Sequence, residues 1–334
     1  MTGPHPAVAQ VRHAVRECLA DVPAGGVVLV AASGGADSMA LAAATAFEAR
    51  TADWRVAAVV VDHQLQSGSG NAAQSAADAL AQLSFDPVVI RTVHVGADGG
   101  PEAAARTARY GAIDEVASEL DAAAVLLGHT RDDQAESVLL GLARGSGARS
   151  ISGMAPVRGR YRRPLLALDR VTTREACTAE DVPVWDDPHN DDSSFTRVRV
   201  RQRVIPVVER ELGPGVVASL ARTADLLRED DAALEQWAND VRDAARCRDD
   251  AGRQALDAEI LATAPAAVRR RVLRAEALER GVPGGDLRAS HLADVDALVT
   301  RWRGQGPVHL PGGVLAQRDC GRLQLAPQPA AEVG

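Results

Sequence analysis

The stretch VVLVAASGGADSMALAAATAF, Val27–Phe47, restricts the fold more than any other part of the chain. An apolar, β-branched run (VVLVAA) has the pattern of a buried strand. The small and apolar residues after SGGADS form helix readily. A strand, a tight glycine turn and a helix start leave backbone N–H groups free at the helix N-terminus, where they carry about half a positive charge. Glycines let an anion approach the backbone closely. The expected ligand at Ser33, Gly34, Gly35, Ala36, Asp37 and Ser38 is therefore a phosphate, with the Ser33 and Ser38 hydroxyls as further donors. An acid beside phosphates is repelled unless a cation lies between them, so Asp37 is the expected Mg²⁺ ligand. The spacing is not GxGxxG. All 37 basic residues are arginine. That excludes a Walker loop, whose lysine reaches the β/γ-phosphates, and lysine Schiff-base chemistry.

From Val27 to Asp132, apolar strand patterns alternate with single helices, which predicts right-handed βαβ crossovers. The expected fold is α/β, a parallel doubly wound sheet with helices on both faces. SGGADS, VDHQLQS and GHTRDD each follow an apolar strand and should meet in one crevice beyond the strand C-termini. The 334 residues suit about two domains. The texture changes at ELGPG, Glu211–Gly215. The expected division is a catalytic domain over 1–210, a mainly helical domain over 216–327 ending in a short β-hairpin around Gly312-Gly313, and a disordered tail over 328–334. Aromatics are 3% of the chain, so the core must be Ala, Val and Leu. No apolar run is long enough to span a membrane, and the N-terminus reads as an amphipathic helix, not a signal peptide. Four scattered cysteines without a CxxC argue against zinc, iron–sulfur and disulfide frameworks and suit a reducing cytoplasm, the expected location.

A formal charge of −8 counts against nucleic-acid binding. Its distribution does not. Arg144–Arg163 carries six arginines and no acid, and RVRVRQR, Arg197–Arg203, has arginine at every second position. In an extended chain that spacing puts all four on one face. Each stripe alone could be a solvated surface; the pair predicts a phosphate-tracking surface through Arg144, Arg162, Arg163, Arg197, Arg199 and Arg201.

GHTRDDQAES opens a helix, with Thr130 or Asp132 as its cap. Asp133 and Glu136, three apart, share a helix face. They could be dipole partners, a divalent-metal site with His129, or a pocket for an amine, in which one carboxylate takes the proton as the amine becomes a nucleophile. Arg106 and Arg109 also share a face, either as a solvated stripe with Glu102 or against a nucleotide. His63 could cap a strand end or lie near a bound base.

These motifs carry a resemblance. SGGADS is similar to the SGGxDS signature of the PP-loop ATP pyrophosphatases. VDHQLQSGS, PEAAARTARY, GHTRDDQAESVLLGLARGSG, RRPLL and WDDPHNDDSSFTRVRVR, in that order, resemble the tRNA(Ile)-lysidine synthase family over residues 25 to 210. Ser137 stands where that family often has Thr, and Val198 where it often has Asn. The resemblance implies a ligase that uses ATP and Mg²⁺ to join free L-lysine to C2 of the wobble cytidine of a CAU-anticodon isoleucine tRNA. It assigns lysine binding to Asp133 and Glu136, the nucleotide side to His63, His129 and Asp132, and an arginine against ATP or the adenylated base to Arg109. The catalytic set is Asp37, Arg109, Asp133 and Glu136. Expected partners are the tRNA, lysine and, as an option, a second copy in a homodimer. The alternatives are another PP-loop tRNA-modifying enzyme, such as a thiolase, or a non-catalytic nucleotide- or RNA-binding protein on the same fold.

Overall fold

The computed structural model describes residues 3–64, 68–93, 101–145, 147–185, 192–249 and 251–328, without the side chains of 101–103. Parts of VDHQLQSGS and WDDPHNDDSSF, Ser146 and the tail from 329 lie outside these residues, as does the side chain of Glu102. The chain forms two compact units, Met1–Arg228 and Glu229–Gly334.

The first unit runs α1 (Pro6–Cys18), β1 (Val27–Ala32), α2 (Ala36–Ala52), β2 (Arg55–Asp62), α3 (Ser69–Gln82), β3 (Val88–Thr92), α4 (Pro101–Glu119), β4 (Ala122–Leu127) and α5 (Arg131–Arg144). A one-turn α6 (Ala148–Ile151), the short β5 (Val157–Arg158) and β6 (Tyr161–Arg162), and α7 (Arg170–Ala179) follow. The sheet order is β3-β2-β1-β4-β6-β5. All neighbours are parallel except β5 and β6, which pair antiparallel as a hairpin at the edge.

Strand side chains alternate between two apolar layers, because successive residues of a strand point to opposite faces. Val28, Val30, Ala58, Val60, Ala124 and Leu126 pack with α1, α2, α3 and α7. Val27, Leu29, Ala57, Val59, Val125 and Leu127 pack under Ile113, Val116 and Ala117 of α4. Burial on both faces explains why these strands read as continuous apolar runs. Helix α2 is buried almost all round, and its alanines let it lie close to the sheet. Strand order reverses direction at β1, between β2 on one side and β4 on the other, so the topological switch lies between β1 and β4. The loops after these two strands are SGGADS and GHTRDD.

RVRVRQR is not extended. It forms α8 (Thr196–Arg199) and a π-helical turn (Val200–Val204) leading into α9 (Ile205–Leu212). In a helix, residues four apart share a face. Arg197 and Arg201 therefore point the same way, while Val198 and Val200 are buried. The alternation that suggests a strand is here a helix with two buried valines.

The second unit begins inside the long helix α10 (Val216–Ala245), so the division falls later than the Glu211–Gly215 break. It continues with β7 (Arg246–Arg248), β8 (Gln254–Asp257), α11 (Ala258–Thr263), α12 (Ala266–Glu279), α13 (Ala289–Thr300), β9 (Val308–Leu310), β10 (Val314–Asp319) and β11 (Arg322–Pro327). The hairpin around Gly312-Gly313 exists, as β9 and β10. It is part of a five-stranded sheet, β7-β8-β11-β10-β9, larger than the short terminal hairpin expected. A buried Arg269–Asp296 pair at 2.6 Å ties α12 to α13 within this unit's core.

Candidate active site

The phosphate loop is tied by its own serines. The Ser33 N–H donates to Ser38 Oγ at 3.1 Å, and Ser38 Oγ donates to the Gly35 carbonyl at 2.9 Å. Gly34 has φ +83°, a conformation that side chains rarely adopt. Its carbonyl accepts from the Trp185 N–H at 2.9 Å. Gly128, at the end of β4, packs its Cα against the same loop. A Cβ there would lie 3.0 Å from Ser38 N and 3.1 Å from the Asp37 carbonyl oxygen. Since both neighbours are backbone, Gly128→Ala should push the loop out of position. The expected result is an ATP KM raised about tenfold, about 1.4 kcal/mol, with the chain still folded. ATP titration beside a thermal melt checks this, and an unchanged KM would show that the loop is fixed by other contacts.

Thr130 caps α5. The Asp133 carboxylate accepts from the Thr130 N–H at 2.8 Å and from Thr130 Oγ1 at 3.0 Å, which leaves its other oxygen facing the site. Glu136, one turn on, is completely buried. A third element completes the cluster. Arg170, the first residue of α7, directs one nitrogen at each of three carboxylates: Nη2 to Asp133 at 2.5 Å, Nη1 to Glu136 at 3.1 Å and Nε to Asp37 at 3.6 Å. Its backbone N–H donates to Asp132 at 3.1 Å, so Asp132 braces the start of α7. Thr173 Oγ1, also on α7, donates to Asp37. Arg201 lies against Glu136 at 2.8 Å and 3.8 Å from Asp133. The two acids expected to be free for an amine are thus held by two of the protein's own guanidiniums.

The electrostatics follow from this arrangement. Burial and the neighbouring charge of Asp133 raise Asp37 above the usual carboxylate range, against its Thr173 hydrogen bond and Arg170. Burial also works against Asp133, but Arg170, the Thr130 N–H and Arg201 outweigh it and hold that carboxyl low. Arg170 is raised despite burial, by Asp133, Glu136, Asp37 and Asp132.

Beyond the ends of β2 and β4 the site is cationic. Burial, with Arg109, Arg163 and Arg197, holds His129 neutral, far below the ordinary imidazole range. Burial and Arg109 also lower His63. His63 Nδ1, His129 Nδ1 and Arg109 Nε are buried without a hydrogen-bond partner. Unpaired buried donors and acceptors are costly. His63 and His129 share Arg109 of α4 as a neighbouring charge, and Gly128, next to His129, packs against SGGADS.

The arginine stripes fare differently. Arg144 is exposed at the end of α5. Arg162 pairs with Asp21 at 2.7 Å. Arg163 is only 6% exposed and donates to the Ala155 carbonyl. Arg197 donates to Ser137 Oγ, and Arg199 to the Ser193 and Ser194 carbonyls. Arg163, Arg199 and Arg201 are therefore structural partners here, not a free phosphate-tracking row.

Sequence reading missed Arg170. The available signal was its position: a cation at a helix N-terminus opposes the dipole and needs acids nearby. Among the described residues no group of three His, Cys, Asp or Glu side chains is placed to hold a metal ion. Mg²⁺ is commonly held by one or two carboxylates together with substrate phosphates, so Asp37 at the lip of the loop fits that role without a dedicated cage.

A PP-loop domain model matches residues 8–208, and a TilS substrate binding domain model matches residues 256–324. A protein of Streptomyces coelicolor named tRNA(Ile)-lysidine synthase is 53% identical, over 97% of this chain and 99% of that protein. A protein of the same name from Thermobifida fusca is 54% identical, over 97% and 98%. Among solved structures, a U34-tRNA thiolase, NcsA from Methanococcus maripaludis with its [4Fe-4S] cluster, shares the fold with a TM-score of 0.55 at 16% identity, over 66% of this chain and 80% of its own. With near-complete coverage at half identity, the chain belongs to the tRNA(Ile)-lysidine synthase family.

Proposed function

We propose that this chain joins free L-lysine to C2 of the wobble cytidine of a CAU-anticodon isoleucine tRNA, with cleavage of ATP to AMP and pyrophosphate. The observation that carries the reading is the junction of a phosphate loop and a carboxylate pocket through Asp37, Asp133 and Glu136.

ATP binds with its β- and γ-phosphates at the α2 N-terminus, under the Ser33 and Ser38 hydroxyls. Asp37 would hold Mg²⁺, which supplies neutralisation of phosphate charge. The C2 carbonyl oxygen of the cytidine attacks the α-phosphorus and pyrophosphate leaves. Arg109 stands beside this step, with His63 and His129 neutral and able to hydrogen-bond a base or ribose without adding charge. The lysine ε-amine then attacks C2 and AMP departs. Its ammonium form enters beside Asp133 and Glu136, where one carboxylate takes the proton. Arg201 yields its place, since Arg170 is anchored on three acids and Arg201 chiefly on one. A single-stranded anticodon base spares most of the cost of unpairing.

The thiolase alternative finds less support. Cys177 is buried with its thiol raised by burial to about 12, Cys18 is half-buried on α1, and Cys247 and Cys320 lie in the second unit. None belongs to the segments after β1, β2 and β4; Cys177 reaches the phosphate loop from α7, donating its thiol to the Ala36 carbonyl at 3.4 Å, and its raised pKa makes it a poor nucleophile there. No helix among the described residues is long and apolar enough to cross a membrane.

The test is incorporation of labelled lysine, with MgATP, into an unmodified CAU isoleucine transcript beside the same transcript carrying GAU. Incorporation into the CAU transcript alone is expected. ATP cleavage without incorporation would keep the phosphate-loop chemistry and reject lysine as the nucleophile.

A further inference from the structure

In the second unit the sequence carries no acid from Ala297 to Arg318, in a chain of net charge −8. The middle of that stretch, Arg301-Trp302-Arg303, follows the end of α13 and is exposed, with Trp302 at 38%. Several arginines of this unit are tied to carboxylates, among them Arg242, Arg246, Arg253, Arg269, Arg271 and Arg280. The side chains of Arg301 and Arg303 have no such partner among the described residues.

The tryptophan is held in place. Arg318, on β10, stacks its guanidinium 5.7 Å from the ring centroid and donates to the Leu298 and Val299 carbonyls at the end of α13. Gln305 closes the loop, donating to the Ala297 and Arg301 carbonyls and accepting from the Arg303 N–H at 2.8 Å. The backbone of 301–305 is thus pinned while two guanidiniums and part of an indole face solvent. A fixed aromatic ring flanked by uncommitted arginines matches what an unpaired base and its neighbouring phosphates require. The ring stacks on the base, and the cations meet the backbone.

We propose that Trp302, flanked by Arg301 and Arg303, is a stacking platform for an unpaired base of the RNA substrate. The proposal rests on the reading of tRNA as substrate. The ring gives affinity without sequence choice, because every base has a π-face, and the two arginines position the strand.

The experiment measures affinity of the full chain for the unmodified CAU isoleucine transcript across a salt series, by fluorescence anisotropy. Trp302→Ala should weaken binding about 5- to 100-fold, and Trp302→Phe should retain most of it. Arg301→Glu with Arg303→Glu, whose exposed side chains have no carboxylate partner among the described residues, should weaken binding and flatten the slope of log K against log salt by about 1.5 to 2. Wild-type affinity and slope in the arginine variant, or wild-type affinity in a folded Trp302→Ala chain, would overturn the platform and leave the ligase reading standing. A wild-type chain that neither binds nor modifies the transcript would overturn both.

Discussion

Glu136→Gln is expected to lower kcat/KM for lysine by two orders of magnitude or more while ATP still binds with near-native affinity. Glu136 is buried and lies between two guanidiniums, Arg170 at 3.1 Å and Arg201 at 2.8 Å. The amide keeps the shape and removes the charge. Taking one partner from a buried ion pair costs about 3–5 kcal/mol, because the remaining charges lose their counter-ion. Much of that falls on the ammonium form of lysine, which loses a negatively charged partner in a site shielded from water. The phosphate loop is built by Ser33, Gly35, Ser38 and Gly128, none of which touches Glu136, so nucleotide affinity is spared. Steady-state kinetics with lysine varied, beside ATP binding by calorimetry, separate the two. Collapse of ATP affinity in a folded variant would show that the division of the site into a phosphate half and an amine half is wrong.

Arg170→Ala should damage both halves. One guanidinium serves Asp37 beside the phosphate loop and both acids of α5, so its loss leaves three carboxylates facing each other with Arg201 as the nearest cation. Pyrophosphate release and lysine addition should each fall about 100-fold or more, unlike the one-sided loss in Glu136→Gln; this corresponds to about 3 kcal/mol for each step. The pH dependence has a definite sign. Arg170 is among the groups that hold Asp133 low in the folded chain. Asp133 therefore stays ionised as pH falls, and its contribution to stability is present above its unfolded pKa and lost only below that. Without Arg170 its pKa rises, so the acid limb of the lysine step moves to higher pH. Arg170→Lys should recover only part of the activity, since an ammonium is a point charge and cannot present three nitrogens in a fixed fork. Full recovery with Lys would show that charge alone matters, and an unmoved acid limb in Arg170→Ala would show that Asp133 is held ionised by other groups.

Much of the first unit is legible locally. Apolar runs of four to six residues, helix caps and glycine turns are short-range signals, and they give β1 to β4 with α2 to α4 between them and α5 after. The motifs SGGADS and GHTRDD carry their chemistry within ten residues. RVRVRQR was legible only as composition. Its period of two fits a strand, and packing of Val198 and Val200 makes it helix, turning Arg197 and Arg201 inward.

The sequence by itself determined the alternating α/β order, the phosphate loop, the acids at the start of α5 and the absence of any lysine to serve them. Tertiary structure alone decided who neutralises those acids. Arg170 lies 37 residues from Asp133 and Arg201 lies 65 from Glu136. A charge pair at that separation leaves no periodicity in the chain. It forms only when α7 and the π-helical turn pack against the N-terminus of α5, where burial makes an unpaired carboxylate too costly to leave alone.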